Sequence, residues 1–190
     1  FQVEVLQNGL RKKIVQMIKV SAAGDYDKAL ELTEGYRMWL RQEIANAEEA
    51  IDIVKRILDG RQEENVHTMK RKEVSEYLNI SMDTLRNWEM NGLLTVRRRQ
   101  NGYRVYTDDD IRRLKIIRSL RCANYSLEAI LTMLGQVSKY PGIDIKRALD
   151  TPKEDTEIIA VCDKLVTSLT KAESNAEKML DKLKEMKSKF

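Results

Sequence analysis

Proline and glycine are scarce in this chain of 190 residues, which has two of the first and eight of the second. Together with abundant Ala, Glu, Lys, Leu and Arg, that scarcity points to a mainly α protein. Cysteine is equally sparse. Cys122 and Cys162 lie far apart in the sequence, which argues against a disulfide framework and fits a reducing cytoplasm. His67 is the one histidine; with no second imidazole it reads as an ordinary linker residue, and no metal site is expected. No apolar run approaches membrane-spanning length and no charged-apolar-small leader opens the chain. Also missing are a glycine-rich phosphate loop, a nucleophile motif and paired carboxylates in a pocket-forming pattern, so an enzyme is not expected. What remains is 42% hydrophobic and 34% charged, enough for one modest core or two small ones.

The densest signal lies between Arg71 and Tyr106. Val74, Leu78, Ile80, Leu85 and Trp88 are spaced so that two short helices share one apolar centre. Ser81 is placed to cap the second helix and Asp83 lies in its first turn, where the helix dipole favours negative charge. Asn91-Gly92 ends that helix with residues that tolerate a left-handed backbone. Two extended runs follow, Leu93–Arg97 and Gly102–Tyr106, with Asn101-Gly102 as turn chemistry between them. This is the pattern of a winged helix-turn-helix, a shape suited to double-stranded DNA. Charge coincides with it. Thr68–Arg121 holds 13 Lys and Arg against 7 acids, a net +6, which leaves −2 for the rest of a chain whose total is +4.

The flanks read as long helices. Residues 1–58 form a helical region broken near Ala23-Gly24-Asp25, with Ile14, Met17, Ile18 and then Tyr36, Leu40, Ile44, Ala47, Ile51, Val54 and Leu58 as its apolar stripe. Residues 59–68 are polar and read as a linker; the winged helix-turn-helix occupies 69–135. Thr107 caps a helix that begins with three aspartates and turns Ile111, Leu114, Ile117 and Leu120 inward. Ser126 caps the next, with Ile130, Leu131 and Leu134 inward and Gly135 as its stop. Residues 136–154 form a connector interrupted by Pro141-Gly142, and Thr151-Pro152-Lys153-Glu154 is a helix start. Over 155–190 the positions Ile158, Cys162, Leu165, Leu169, Ala172, Ala176, Met179, Leu183, Met186 and Phe190 repeat at alternating steps of four and three. That is coiled-coil spacing, and the first nine of these positions are the expected dimerisation seam.

The motifs TLRNWE, NGLL, R-x-x-x-GYRVY, DDDIRRL and ANYSLEAI, at these offsets, resemble the MerR family of bacterial transcription regulators. The likeness runs from Met69 to Gly135. Asn87 stands where the family usually has Tyr, Val96 where Pro is common, and Asn124 where Gly is usual. The resemblance implies a DNA-binding regulator with no cofactor read from its residues. Its partners would be a promoter operator in double-stranded DNA, RNA polymerase, and a second long helix in an antiparallel coiled coil. Regulators of this kind kink and untwist a two-fold operator through two heads.

The second helix of the motif would enter the major groove with Met82, Asp83, Thr84, Arg86 and Asn87 on its outer side. Arg86 is suited to guanine or phosphate, Asn87 to adenine and Thr84 to phosphate. By resemblance Arg86, Arg98, Tyr103 and Arg104 carry the family's contacts. Arg97 and Arg99 flank them, and Lys70, Arg71 and Lys72 add charge at the first helix. Metal-sensing members of the family use cysteines at both ends of the long helix; Cys162 falls near one end but on the seam, where a buried structural thiol is the better reading. Tyr26, Tyr36, Met38 and Trp39 offer an aromatic surface that core packing explains equally well, so no effector is expected from the residues.

A faint repeat adds one more expectation. QMIKVSAAGDYDKAL from Gln16 echoes TMLGQVSKYPGIDIKRAL from Thr132, and a heptad helix follows each. Two readings stand. In one, residues 1–58 are the tail of a first MerR-like unit, with helix 25–58 lying against helix 155–190 as a pseudo-dimer; in the other, they are merely two unrelated amphipathic helices. A different class of function also stays open, a coiled-coil adaptor whose winged helix contacts protein. Charge reversal at Arg86 and Arg97–Arg99 separates the two, since only DNA binding would be lost.

Overall fold

A computed structural model of the chain describes residues 10–59, 66–98, 102–138 and 155–189. Helix α1 (Leu10–Ala22) meets α2 (Tyr26–Leu58) at the expected break. Gly24 adopts φ +81 there, and Asp25 accepts the Lys28 backbone N–H at 3.0 Å to cap α2. Next come β1 (Thr68–Lys70), α3 (Arg71–Tyr77), α4 (Met82–Met90), β2 (Arg97–Arg98), β3 (Arg104–Thr107), α5 (Asp108–Cys122) and α6 (Leu127–Ser138). The long helix α7 covers Asp155–Lys189.

Several boundaries differ from the sequence reading. The sheet has three strands in the order β1-β3-β2, not a simple hairpin, and Thr68, read as linker, pairs with Thr107. Three residues are too few for a period-two signal; the pairing is imposed by the neighbouring strand β3. Gly135 lies inside α6, which continues to Ser138; a lone glycine weakens a helix without ending it. Leu131, expected inside, is 40% exposed while Met133 is buried, and Ile18 on α1 is exposed in place of packing. Met186 at the far end of the seam is also exposed. The breaks read at Pro141-Gly142 and Thr151–Glu154 lie outside the described residues, as does Phe190.

α2 lies antiparallel along α7 within one chain. Asp27 pairs with Lys187, Arg37 with Glu177 at 3.3 Å, and Arg41 with Glu173. Between these exposed pairs the seam is apolar. Tyr36, Leu40 and Ala47 of α2 are buried with Leu165, Leu169, Ala172 and Ala176 of α7. A second core joins α2 and α7 to the head: Ala50, Ile53 and Val54 pack with Val74, Leu85, Trp88, Leu114 and Ile117, and with Ile158 and Cys162. Burying Ile or Leu at such positions stabilises by about 1.5–3 kcal/mol each.

Candidate nucleic-acid interface

The head is assembled around the small apolar centre read from the sequence. Val74 and Leu85 are fully buried, Leu78 and Trp88 nearly so, and Ile80 packs against them. Asn79 takes φ +50 in the turn between α3 and α4. Ser81 caps α4, its hydroxyl accepting the Thr84 N–H at 3.0 Å. With Leu85 and Trp88 committed inward, the two positions between them on α4 must face out. Met82, Asp83, Arg86 and Asn87 are accordingly exposed.

The wing is held by a carboxylate that the sequence reading passed over. Glu89, on the last turn of α4, accepts from Arg104 Nε at 2.5 Å and from the Tyr106 hydroxyl at 2.6 Å. Burial first, and then the Glu89 carboxylate, pushes the Tyr106 phenol far above its ordinary range. Arg104 is therefore a strut between α4 and β3 before it is anything else. Arg113 of α5 ties the start of the wing down by donating to the Leu93 carbonyl at 2.6 Å. On the opposite edge, Asp108 accepts the backbone N–H groups of His67 and Val66 at 2.8 and 2.9 Å. Those donors, His67 first, hold its carboxyl below the usual range. Thr107 and Asp110 form the capping box that starts α5.

The candidate DNA-contacting residues fall into two groups. Lys70, Lys72, Arg86, Arg97, Arg98 and Tyr103 present exposed side chains. Of these, Arg86, Arg97 and Arg98 have no side-chain hydrogen bond or ion pair among the described residues. The others are engaged in the fold. Arg71 donates to the Met82 carbonyl, bracing the start of α4. Thr84 shares a hydroxyl hydrogen bond with Ser81 at 2.9 Å, which ties its side chain into the cap of α4. Asn87 Oδ1 lies 3.4 Å from Asn91 Nδ2, a weak contact that a base edge would displace. Both Thr84 and Asn87 border an open cleft of about 550 Å³ beside α4, closed on its far side by Arg118 and Arg121 of α5. Arg99 lies outside the described residues.

Behind this face runs a polar seam that joins the head to α2. Arg118 of α5 donates through both terminal nitrogens to Glu43 at 2.7 and 2.6 Å, and through Nε to the Leu78 carbonyl at 2.9 Å. Both are buried, Glu43 at 2% and Arg118 at 8% exposure. Desolvation works against the guanidinium charge, but the Glu43 carboxylate outweighs it and the Arg118 pKa rises. Lys115 bonds Glu49 at 2.6 Å and the Tyr77 hydroxyl at 2.9 Å. The signal was present in α2 as a second stripe, Glu43-Asn46-Ala50-Ile53, with the same alternation of three and four. Its two polar members disguised it as a solvent face.

Of the nine seam residues, Ile158, Cys162, Leu165, Leu169, Ala172 and Ala176 are buried in cores shared with α2 of their own chain and Met179 packs against them, while Leu183 is buried and Met186 is exposed. Both thiols are buried. Burial pushes Cys122 and Cys162 up to about 12. Among the described residues no helix is long and apolar enough to cross a membrane.

Residues 69–137 match the MerR HTH family regulatory protein profile. HTH-type transcriptional regulator ZntR of Escherichia coli K12 is 35% identical over 63 residues, 33% of this chain and 45% of that protein, and ZntR of Escherichia coli O157:H7 matches equally. The chain thus spans under half the length of these curated relatives. One solved structure is similar at 24% identity, covering 56% of this chain and 78% of the other with a TM-score of 0.41; it is described as HiNmlR, a MerR family regulator lacking the sensor domain, bound to promoter DNA. The match to the MerR HTH family of regulatory proteins thus falls on residues 69–137, where α3, α4, the wing, α5 and α6 lie.

Proposed function

We propose that this protein is a sequence-specific, DNA-binding transcriptional regulator of MerR type. It binds a promoter operator with α4 in the major groove and the wing on the adjacent backbone, and RNA polymerase is its partner at the distorted promoter. The observation that carries this reading is the exposed, unpaired set Arg86, Arg97 and Arg98 on a helix-turn-helix that matches the family. Arg86 supplies a bidentate donor for guanine or a phosphate clamp. Lys70, Lys72 and the wing arginines add phosphate charge, while Arg71 and Arg104 act by bracing α4 and β3. No membrane partner is part of the reading.

The test is duplex binding measured by fluorescence anisotropy, using sequences selected from a random library, at several salt concentrations. Five or six phosphate contacts give a log–log salt slope of roughly −4 to −5. A slope near −1 would defeat the assignment. Replacing Arg86 with Ala should cost about 1–3 kcal/mol on the selected site and relax its sequence preference. Arg98→Ala should weaken all duplexes alike and make the slope shallower by about one.

A further inference from the structure

The heptad helices α2 and α7 share one pattern. Leu40, Ile44, Ala47, Ile51, Val54 and Leu58 repeat as Leu165, Leu169, Ala172, Ala176, Met179 and Leu183, a constant offset that places α2 residues 30–58 on α7 residues 155–183. Ahead of them, Ile14-Val15-Gln16-Met17-Ile18 of α1 repeats as Ile130-Leu131-Thr132-Met133-Leu134 of α6. So α1–α2 stands where the α6–α7 hairpin of a second subunit would stand in a two-fold pair. The two hairpins diverge most on the face that receives the head. The α2 residues that receive the head are Glu43, Glu49, Ala50 and Ile53, the first bound to Arg118, the second to Lys115, and the last two in the head core. Their counterparts on α7 are Ser168, Ser174, Asn175 and Lys178. A second copy's α7 in place of α2 would set Ser168 against the buried Arg118, and Lys178 where Ile53 is buried. It would also face Glu173 and Glu177 with Val166 and Cys162, the counterparts of Arg41 and Arg37. A buried guanidinium without its carboxylate and an ammonium in an apolar core are each strongly destabilising.

We infer that α1–α2 is a built-in surrogate for a partner subunit, that the α7 and head surface of this chain accepts α2 and rejects a second copy of α7, and that Glu43 and Ile53 decide the selection. The partner this surface fits is an α2-type helix carrying an acid opposite Arg118 and an aliphatic side chain three turns along the same face. The chain is then a self-paired monomer with one described head per coiled coil.

The experiment uses the full chain. Light scattering over a wide concentration range should give 22.1 kDa throughout. Arg41→Cys with Glu173→Cys, two residues on the outer edge of the seam, should oxidise to a link that peptide mapping and intact mass assign to a single chain. Amide exchange of α2 residues 43–54 should accelerate roughly tenfold or more in Glu43→Ser and in Ile53→Lys. A mass of twice the monomer, a link joining two chains, or unchanged exchange in both variants would each overturn the inference. The crosslink leaves Glu43 and Ile53 intact, so it decides between self-pairing and the pairing of two copies even if those variants do not fold.

Discussion

At the scale of single residues, the buried Glu43–Arg118 pair carries the sharpest expectation. Removing one member leaves an uncompensated charge, so Glu43→Ala or Arg118→Ala should each destabilise by about 3–5 kcal/mol. Glu43→Leu combined with Arg118→Met, which removes both charges and keeps the volume, should lose much less; a double-mutant cycle in urea measures the difference. The two thiols make a second case. Held up to about 12 by burial, Cys122 and Cys162 stay neutral and enclosed at neutral pH. A colourless disulfide reagent exchange should therefore find no rapidly reacting thiol in the native chain and two in denaturant. The sign of the linkage follows: their contribution is complete below the ordinary thiol pKa of 9.0 and is lost as pH climbs through the folded value. Stability should fall in alkali, and a combined Cys122→Ala and Cys162→Ala chain should fall less steeply.

At the scale of elements, caps and turns set the geometry of the head. Asn124, standing where the family usually has Gly, takes φ +67 between α5 and α6, a left-handed backbone that Asn tolerates better than other non-glycine residues. Asn124→Gly should be neutral or slightly stabilising, whereas Asn124→Ala should cost about 1–2 kcal/mol; thermal melts of the two variants distinguish them. The same element shows why the wing was only partly legible. Its turn chemistry and the Ser81 and Thr107 caps are local signals and were readable. The strand β1 was not, because three residues become a strand only when β3 lies beside them. Arg104 and Arg71 were legible as basic residues but not as struts, since Glu89 and the Met82 carbonyl come from other elements.

At the scale of the whole molecule, the head and the coiled coil are not separable bodies. One core contains Ala50 and Ile53 of α2, Leu85 and Trp88 of α4, Leu114 of α5 and Ile158 of α7. The chain should accordingly melt in one cooperative transition, with calorimetric and van't Hoff enthalpies equal. Two resolved transitions, head and coiled coil apart, would contradict that shared core. The antiparallel arrangement also brings α2 behind α4. Arg118 holds Glu43 and the Leu78 carbonyl together, so a change in α2 has a direct mechanical path to the turn before α4.

The sequence by itself determined the elements that rest on local chemistry: the helix-turn-helix with its caps, the basic segment, the breaks near Gly24 and Asn91-Gly92, and the heptad stripes of α2 and α7. Hydrophobic period and backbone preference act over a few residues and need no partner to be read. Only the tertiary structure decided which helix fills the α7 seam, which basic side chains stay free and which brace the fold, and that a glutamate on the apparent solvent face of α2 is buried. Those outcomes depend on groups that are far apart in sequence, such as Glu43 and Arg118, and burial makes their pairing obligatory.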